Sequence, residues 1–231
     1  MEPIQKVAIH ELVVNRLRRA IHLGDYLPGE QLPSERDIAY QLKVSRETIR
    51  EAIRVLEGEG YVVSRRGAAG GHAVAALVEP AERTLARLRG DQDSIINLME
   101  FRRANECLAA RLAAKRHNDS DLEKITGAVE DLKSAEDISR FRKADAKFHL
   151  AVARAARNSY TEQVIADTRE AIFLLHGNRD YNVILDTTLK GHRDILEAIR
   201  SGDSDRAAEA MAQHIDVALK EILHVLTDSS R

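Results

Sequence analysis

Three histidines and one aspartate hold the richest coordination chemistry in the chain. Asp145 and His149 stand four residues apart in Lys143-Ala144-Asp145-Ala146-Lys147-Phe148-His149, so an α-helix would place both on one face. His192 falls near the start of a later helical stretch and His214 inside another. One carboxylate and three imidazoles suit Zn²⁺, Ni²⁺ or Mn²⁺ in the core of a helix bundle, with coordination positions left open. A blander reading of the same spacing stays open. With nine histidines and 37 acidic residues, an Asp-x₃-His arises by chance, and single histidines are commonly hydrogen-bonded or solvated.

A second group of residues is cationic. In Ser45-Arg46-Glu47-Thr48, followed by Ile49 and Arg50, Ser45 is a good N-cap. Ile49, Ala52, Ile53 and Leu56 then form an i, i+3, i+4, i+7 apolar set. With those four facing inward, Arg46 and Arg50 share the outward face of a short helix. A guanidinium there can clamp guanine O6 and N7 or a phosphate, and Ser45, Thr48 and the helix N-terminus can hold phosphate. Arg36 is placed for the backbone or an adjacent base, and Arg65 and Arg66 would add cations further on. The alternative is a solvated face on which Arg50 and Arg54 pair with Glu47, Glu51 and neighbours.

The elements that must position these residues can be read from periodicity. A first helix is predicted from about Val7 to Leu23, with Ile9, Val13, Leu17 and Ala20/Ile21 at helical spacing and Gly24 ending it. Ser34 caps a short helix carrying Ile38, Ala39 and Leu42, Lys43-Val44 is the turn, and Gly58 and Gly60 stop the helix begun at Ser45. Tyr61–Arg66 and His72–Leu77 read as two strands around a glycine-bearing turn. That order is the layout of a winged helix-turn-helix. Glu79-Pro80 marks a boundary, and no proline follows it. Beyond lie amphipathic stretches at about 93–117, 120–133, 137–157, 160–176, 183–201 and 203–227, which predict an antiparallel all-helical bundle. The expected organisation is a DNA-binding domain at 1–77, a linker at 78–92 and a helical domain at 93–228, a mainly α protein.

Composition narrows the classes. Hydrophobic residues make up 44% and charged residues 31% of the 231, an ordinary globular balance. No apolar run approaches the roughly 20 residues of a membrane span. The single cysteine excludes an intramolecular disulfide, and Cys107 is expected to pack rather than react. With no basic-then-apolar leader at the start, the expected compartment is the cytoplasm. Residues 1–77 hold 11 Lys and Arg against 10 Asp and Glu, and residues 78–231 hold 24 against 27. Global charge therefore decides nothing about DNA; the placement of individual arginines does.

Leu32-Pro33-Ser34-Glu35-Arg36-Asp37-Ile38-Ala39, Val44-Ser45-Arg46-Glu47-Thr48-Ile49-Arg50-Glu51-Ala52 and Leu56-Glu57-Gly58-Glu59-Gly60 resemble, in order, the GntR family of bacterial transcription regulators. The resemblance implies that Arg36, Arg46 and Arg50 contact DNA, with Ser45, Thr48, Arg66 and Gly67 assisting. The chain departs from the family at two places. Lys43 stands where the family usually has glycine, which would cost about 1 kcal/mol if the turn needs positive φ, and the wing is longer than the commonest form.

Asp145-x₂-Phe148-His149, Arg157-Asn158, Gly191-His192-Arg193-Asp194-Ile195-Leu196-Glu197-Ala198-Ile199, Gly202-Asp203 and Ala210-Met211-x₂-His214 resemble the FCD domain of the FadR-like branch, over about residues 93–225. The resemblance implies that Asp145, His149, His192 and His214 bind a divalent metal beside a small carboxylate effector. Glu100-x-Arg102-x₃-Glu106 resembles the first FCD helix, which makes Arg102 the fork for the effector carboxylate; the alternative is an intrahelical pair with Glu106. The expected protein is a homodimeric, ligand-responsive repressor on a two-fold operator in double-stranded DNA, and not an enzyme. The rivals are a helical metalloenzyme fused to a DNA-binding module, and an architectural DNA-binding dimer blind to effectors. The sequence shows no G-x-S-x-G, P-loop or dinucleotide fingerprint that would favour the enzyme.

Overall fold

A computed structural model describes residues 8–65, 71–75, 91–173 and 181–227. The chain divides into two compact units, Met1–Pro80 and Ala81–Arg231.

The first unit contains α1 (Ile9–His22), α2 (Glu35–Leu42), α3 (Arg46–Gly58), β1 (Val62–Arg65) and β2 (Gly71–Val74). Val13, Val14, Leu17 and Ile21 of α1 meet Ile38 and Ala39 of α2, Ile49, Ala52, Ile53 and Leu56 of α3, and Val62 and Val74 of the strands in one core. α1 ends where Gly24 takes φ 77°, a conformation costly for any residue with a Cβ. Arg18 ties α1 to the end of α3, donating from Nη2 to both Glu59 carboxylate oxygens at 2.8 and 2.7 Å. At the start of α2 the Ser34 hydroxyl accepts from the Asp37 amide at 3.2 Å and donates to Asp37 Oδ2 at 2.6 Å.

Between α2 and α3, Lys43 adopts φ 55°, ψ 43°. The turn therefore does require the left-handed conformation that the departure from glycine put in question. Among the described residues β1 and β2 pair antiparallel, with Val62 opposite Val74 and Arg65 opposite Gly71. The expected wing tip and the last two residues of the second predicted strand lie outside the described residues. One pairing went unread in the sequence. β2 also bonds the segment before α2, with Leu32 N donating to His72 O at 2.7 Å and Val74 N to Glu30 O at 2.9 Å, around a Gln31–Ala73 bridge. β2 is thus hydrogen-bonded along both of its edges.

The second unit is helical: α4 (Gln92–Arg116), α5 (Asp119–Lys133), α6 (Ile138–Ala155), α7 (Ser159–Phe173), α8 (Tyr181–Arg200) and α9 (Ser204–Thr227). The predicted stretches correspond to these helices within a residue or two wherever their ends are described. α4 packs on α6, α7, α8 and α9, and α5 packs on α6 and α8. Ala109, Ala110, Ala113 and Ala114 of α4 are buried in the main core, and their small side chains let a central helix be approached from several sides. Ends are closed by side chains. Asn118 and Asp121 form a capping box on α5, and Asp137 Oδ1 accepts from the Ser139 and Arg140 amides on α6, each at 2.9 Å. Among the described residues no helix is long and apolar enough to cross a membrane.

Two outcomes follow for the first unit. Lys43→Gly relieves the left-handed strain and raises stability to denaturant by about 1 kcal/mol; an unchanged midpoint would show that the turn carries none. His22 is buried with Nε2 3.1 Å from the Tyr61 hydroxyl. Burial, aided by Arg18, lowers its pKa from 6.5 to about 4. Below pH 6.5 the unfolded chain takes up a proton that folded His22 refuses, so stability falls between pH 6.5 and 4 and is level above. Melting curves of wild type and His22→Gln across that window should diverge, with the variant less acid-sensitive.

Candidate nucleic-acid interface and metal centre

The N-terminus of α3 is built as the sequence predicts. Ser45 Oγ accepts from the Thr48 amide at 3.1 Å and lies 2.8 Å from Thr48 Oγ1. Ile49, Ala52, Ile53 and Leu56 are at most 1% exposed, which turns Arg46 and Arg50 outward, with side chains 63% and 42% exposed. Arg36, at the start of α2, is 80% exposed and rests 3.7 Å from Asp37.

The paired alternative for Arg50 is also realised: Nη1 donates to Glu47 at 3.2 Å and Nη2 to Glu35 at 3.4 Å. Glu35 was not singled out by the sequence. It gathers Arg46 at 4.0 Å, Arg50, and His72 of β2 at 3.6 Å. Its signal was position, since the first turn of α2 faces the first turn of α3 across a two-residue turn. Arg66 and Gly67 lie outside the described residues, as does the side chain of Arg65.

In the second unit α6 contributes Asp145 and His149, α8 contributes His192 and α9 contributes His214. All four are buried, and one potential ligand atom from each lies within 4.8 Å of all the others. Asp145 Oδ1 is 3.5 Å from His149 Nε2 and 3.3 Å from His192 Nε2, and His214 Nε2 is 3.3 Å from His149 Nε2. Donors sharing one ion at about 2.1 Å stand roughly 3–4 Å apart, so the cluster matches the size of a single-ion site. A second observation agrees with that fit: neither ring nitrogen of buried His192 has a hydrogen-bond partner among the described residues. The four side chains could hold a metal ion.

Neighbouring residues fix the ligand atoms. Glu106 Oε2 contacts His149 Nδ1, leaving Nε2 turned toward the cluster, the arrangement by which a carboxylate sets a ligating imidazole. Arg102 donates from Nε to Glu106 Oε1 at 2.7 Å, and its Nη2 lies 3.1 Å from His149 Nε2. Arg102 thus makes the intrahelical pair with Glu106 and also reaches the cluster. Phe148 stacks on the His192 ring with centroids 3.7 Å apart. Arg169 of α7 donates from Nη2 to Asp145 Oδ2.

Glu106 and Arg169 were missed as site residues, although both fall on core-facing registers. Glu106 follows Met99 and Arg102 on the buried stripe of α4, and Arg169 lies between buried Ile165 and Ile172. A charge on an apolar stripe was the available signal.

Electrostatics keep Asp145, His192 and His214 in their ligating forms. Burial holds His192 down to about 4 against the opposing pull of Asp145. Burial also puts His214 well below the ordinary imidazole value, with His192 and His149 adding to the effect. Burial would raise the Asp145 carboxyl, but Arg169, with His149 and His192 close by, outweighs it and holds it well below its usual range. Arg102 and His149 do the same for Glu106. Burial raises the Cys107 thiol to about 11, which leaves it a poor nucleophile at neutral pH.

Comparison with known proteins follows this geometry. Residues 10–70 match the family model of bacterial regulatory proteins, gntR family, and residues 97–217 match that of the FCD domain. A regulatory protein assigned to the L-lactate dehydrogenase operon of Escherichia coli K12 is 33% identical over 88% of this chain and 82% of its own length. The Exu regulon transcriptional regulator of the same organism is 28% identical over 94% of this chain and 85% of its own. Among solved structures, McbR/YncC of E. coli shares the fold, with a TM-score of 0.59 at 18% identity, covering 95% of this chain and 99% of that one.

Gly191 explains part of the packing. A Cβ at that position would lie 2.7 Å from His214 Nδ1, so glycine lets α9 bring its histidine against α8. Gly191→Ala should displace His214 and lower stability by about 1–3 kcal/mol, the usual cost of overpacking. A thermal midpoint equal to wild type would show that the imidazole moves aside freely.

Proposed function

The chain belongs to the GntR family of bacterial regulatory proteins and carries an FCD domain, and from that premise we propose that it is a homodimeric repressor released from its operator by a small carboxylate. That it is a DNA-binding transcription regulator rather than an enzyme follows from the family. The observation that carries the finer reading is the buried meeting of Asp145, His149, His192 and His214 with Arg102 beside them.

In this reading residues 1–77 bind DNA, 78–92 link, 93–228 sense the effector, and the protein acts in the cytoplasm. Each protomer of the dimer lays α3 in the major groove of one half-site. Arg46 and Arg50 leave their carboxylate partners for guanine edges or phosphates, Arg36 takes a backbone phosphate, and Ser45 and Thr48 position the helix N-terminus. Arg66 and Gly67 would extend the contacts along the wing.

In the helical domain Asp145, His149, His192 and His214 hold a divalent ion. Zn²⁺ is the first choice for three imidazoles and a carboxylate, with Ni²⁺ or Mn²⁺ as alternatives. The ion supplies a Lewis-acidic anchor for a carboxylate oxygen. Arg102, braced by Glu106, orients the effector through charge-assisted hydrogen bonds. Glu106 keeps His149 Nε2 directed inward, and Phe148 prevents the His192 ring from turning. Effector binding among α4, α6, α8 and α9 need differ by only about 1–3 kcal/mol between operator-competent and operator-released arrangements to act as a switch. The metalloenzyme alternative is not favoured, because the matching families and relatives are regulators.

The test is a gel-shift titration joined to elemental analysis. Arg46→Ala should abolish specific operator binding, and wild-type affinity in that variant would refute the placing of α3 in the groove. His149→Ala should lose the bound metal, and unchanged metal content would remove His149 from the ligand set.

A further inference from the structure

Arg169 is a buried cation that the reading above leaves with only one task, holding Asp145. We propose that it is also a second carboxylate-binding residue of the helical domain, and that the effector is therefore a short dicarboxylate. This deepens, and rests on, the metal-and-carboxylate reading.

The first support is unused donor capacity. The Arg169 side chain is 4% exposed, and its Nη2 is engaged by Asp145 Oδ2. Its Nε and Nη1 are buried and have no acceptor among the described residues. A buried donor without an acceptor costs about 1–3 kcal/mol, and a guanidinium carries five N–H groups in a plane suited to carboxylate. Holding Asp145 requires one of those nitrogens. The others are suited to a ligand that brings oxygens of its own.

The second support is location. Arg169 reaches the cluster from α7, whereas Arg102 reaches it from α4. Arg169 touches Asp145, whose Oδ1 lies 3.3 Å from His192, and Arg102 touches His149 at 3.1 Å. The two guanidiniums thus meet the cluster through different ligand residues, and a ligand seated on it can engage both.

The third support is charge balance. At the cluster Arg102 and Arg169 oppose Glu106 and Asp145, and all four are buried, so these side chains sum to zero while ligating imidazoles are neutral. Holding a divalent ion adds two positive charges to a core where uncompensated charge is costly. A monocarboxylate cancels one of them. A dicarboxylate cancels both and supplies acceptors for both arginines.

The test uses the zinc-loaded full-length dimer, its metal content verified, titrated calorimetrically with matched pairs: malonate against propionate, succinate against butyrate, malate against lactate. At least one dicarboxylate should bind about ten-fold more tightly than its partner, the size of one charged hydrogen bond. Arg169→Gln, compared at verified zinc content, should erase most of that preference, read as the ratio of the two affinities within each matched pair. If the glutamine variant does not fold, Arg169→Lys, which keeps the charge but not the planar fork, is read in its place. Equal or weaker binding of every dicarboxylate would overturn the proposal, as would a preference that survives in the variant. Monocarboxylates binding alone would leave the metal-and-carboxylate reading standing and remove this one. Binding of neither class would remove both.

Discussion

The second unit is organised around a constraint that its sequence meets at some cost: two guanidiniums, two carboxylates and three imidazoles are gathered in one buried cluster of a mostly apolar interior. Taking any one of those ions out of water unpaired would cost several kcal/mol, so each must find its partner as the helices close. Arg102 finds Glu106 on its own helix, whereas Arg169 must find Asp145 across a helix interface. The pairing therefore checks the register of α7 against α6, because a helix displaced by one turn would strand two charges. The same logic gives α4 its character. It buries alanines along one stretch and an ion pair along another, so it supplies close packing and electrostatic order on a single face.

Much of this could be read from the sequence. The apolar frame at Ile49, Ala52, Ile53 and Leu56 determined which way Arg46 and Arg50 face, and those four residues are all buried. The i, i+4 relation of Asp145 and His149 placed two donors together by helical geometry alone. His192 and His214 were candidates by residue type, and only the resemblance assigned them to the same site, since spacings of 43 and 22 residues say nothing about which helices will touch. Sequence reasoning failed where a residue's role depends on a partner from another element. Arg169 has no meaning in α7 until Asp145 is opposite it. Gly191 looks like a helix defect until α9 arrives, and Glu35 looks like an ordinary first-turn acid until α3 and β2 converge on it.

The strand pairing shows the same limit on a smaller scale. Alternation and glycines predicted a two-stranded hairpin, but nothing in Gly29–Leu32 marks it as a strand. It pairs because the turn after α1 brings it beside β2, whose outer edge would otherwise leave amide and carbonyl groups unpaired. Local periodicity reports what a segment prefers, while the edge of a neighbour decides whether an irregular segment is recruited.

Glu35 has a consequence for how the first unit would discriminate among DNA sequences. A guanidinium already held by this carboxylate gains a phosphate only by ion exchange, giving up one anionic partner for another, so generic attraction to any duplex is discounted in advance. A base edge that offers a two-pronged acceptor returns more than the exchange removes, and a misplaced one does not. With Arg46 and Arg50 reading DNA as proposed, the carboxylate would act as a reference electrode for the reading head: it would set the zero against which each site is measured, lowering the background of random binding rather than raising the signal.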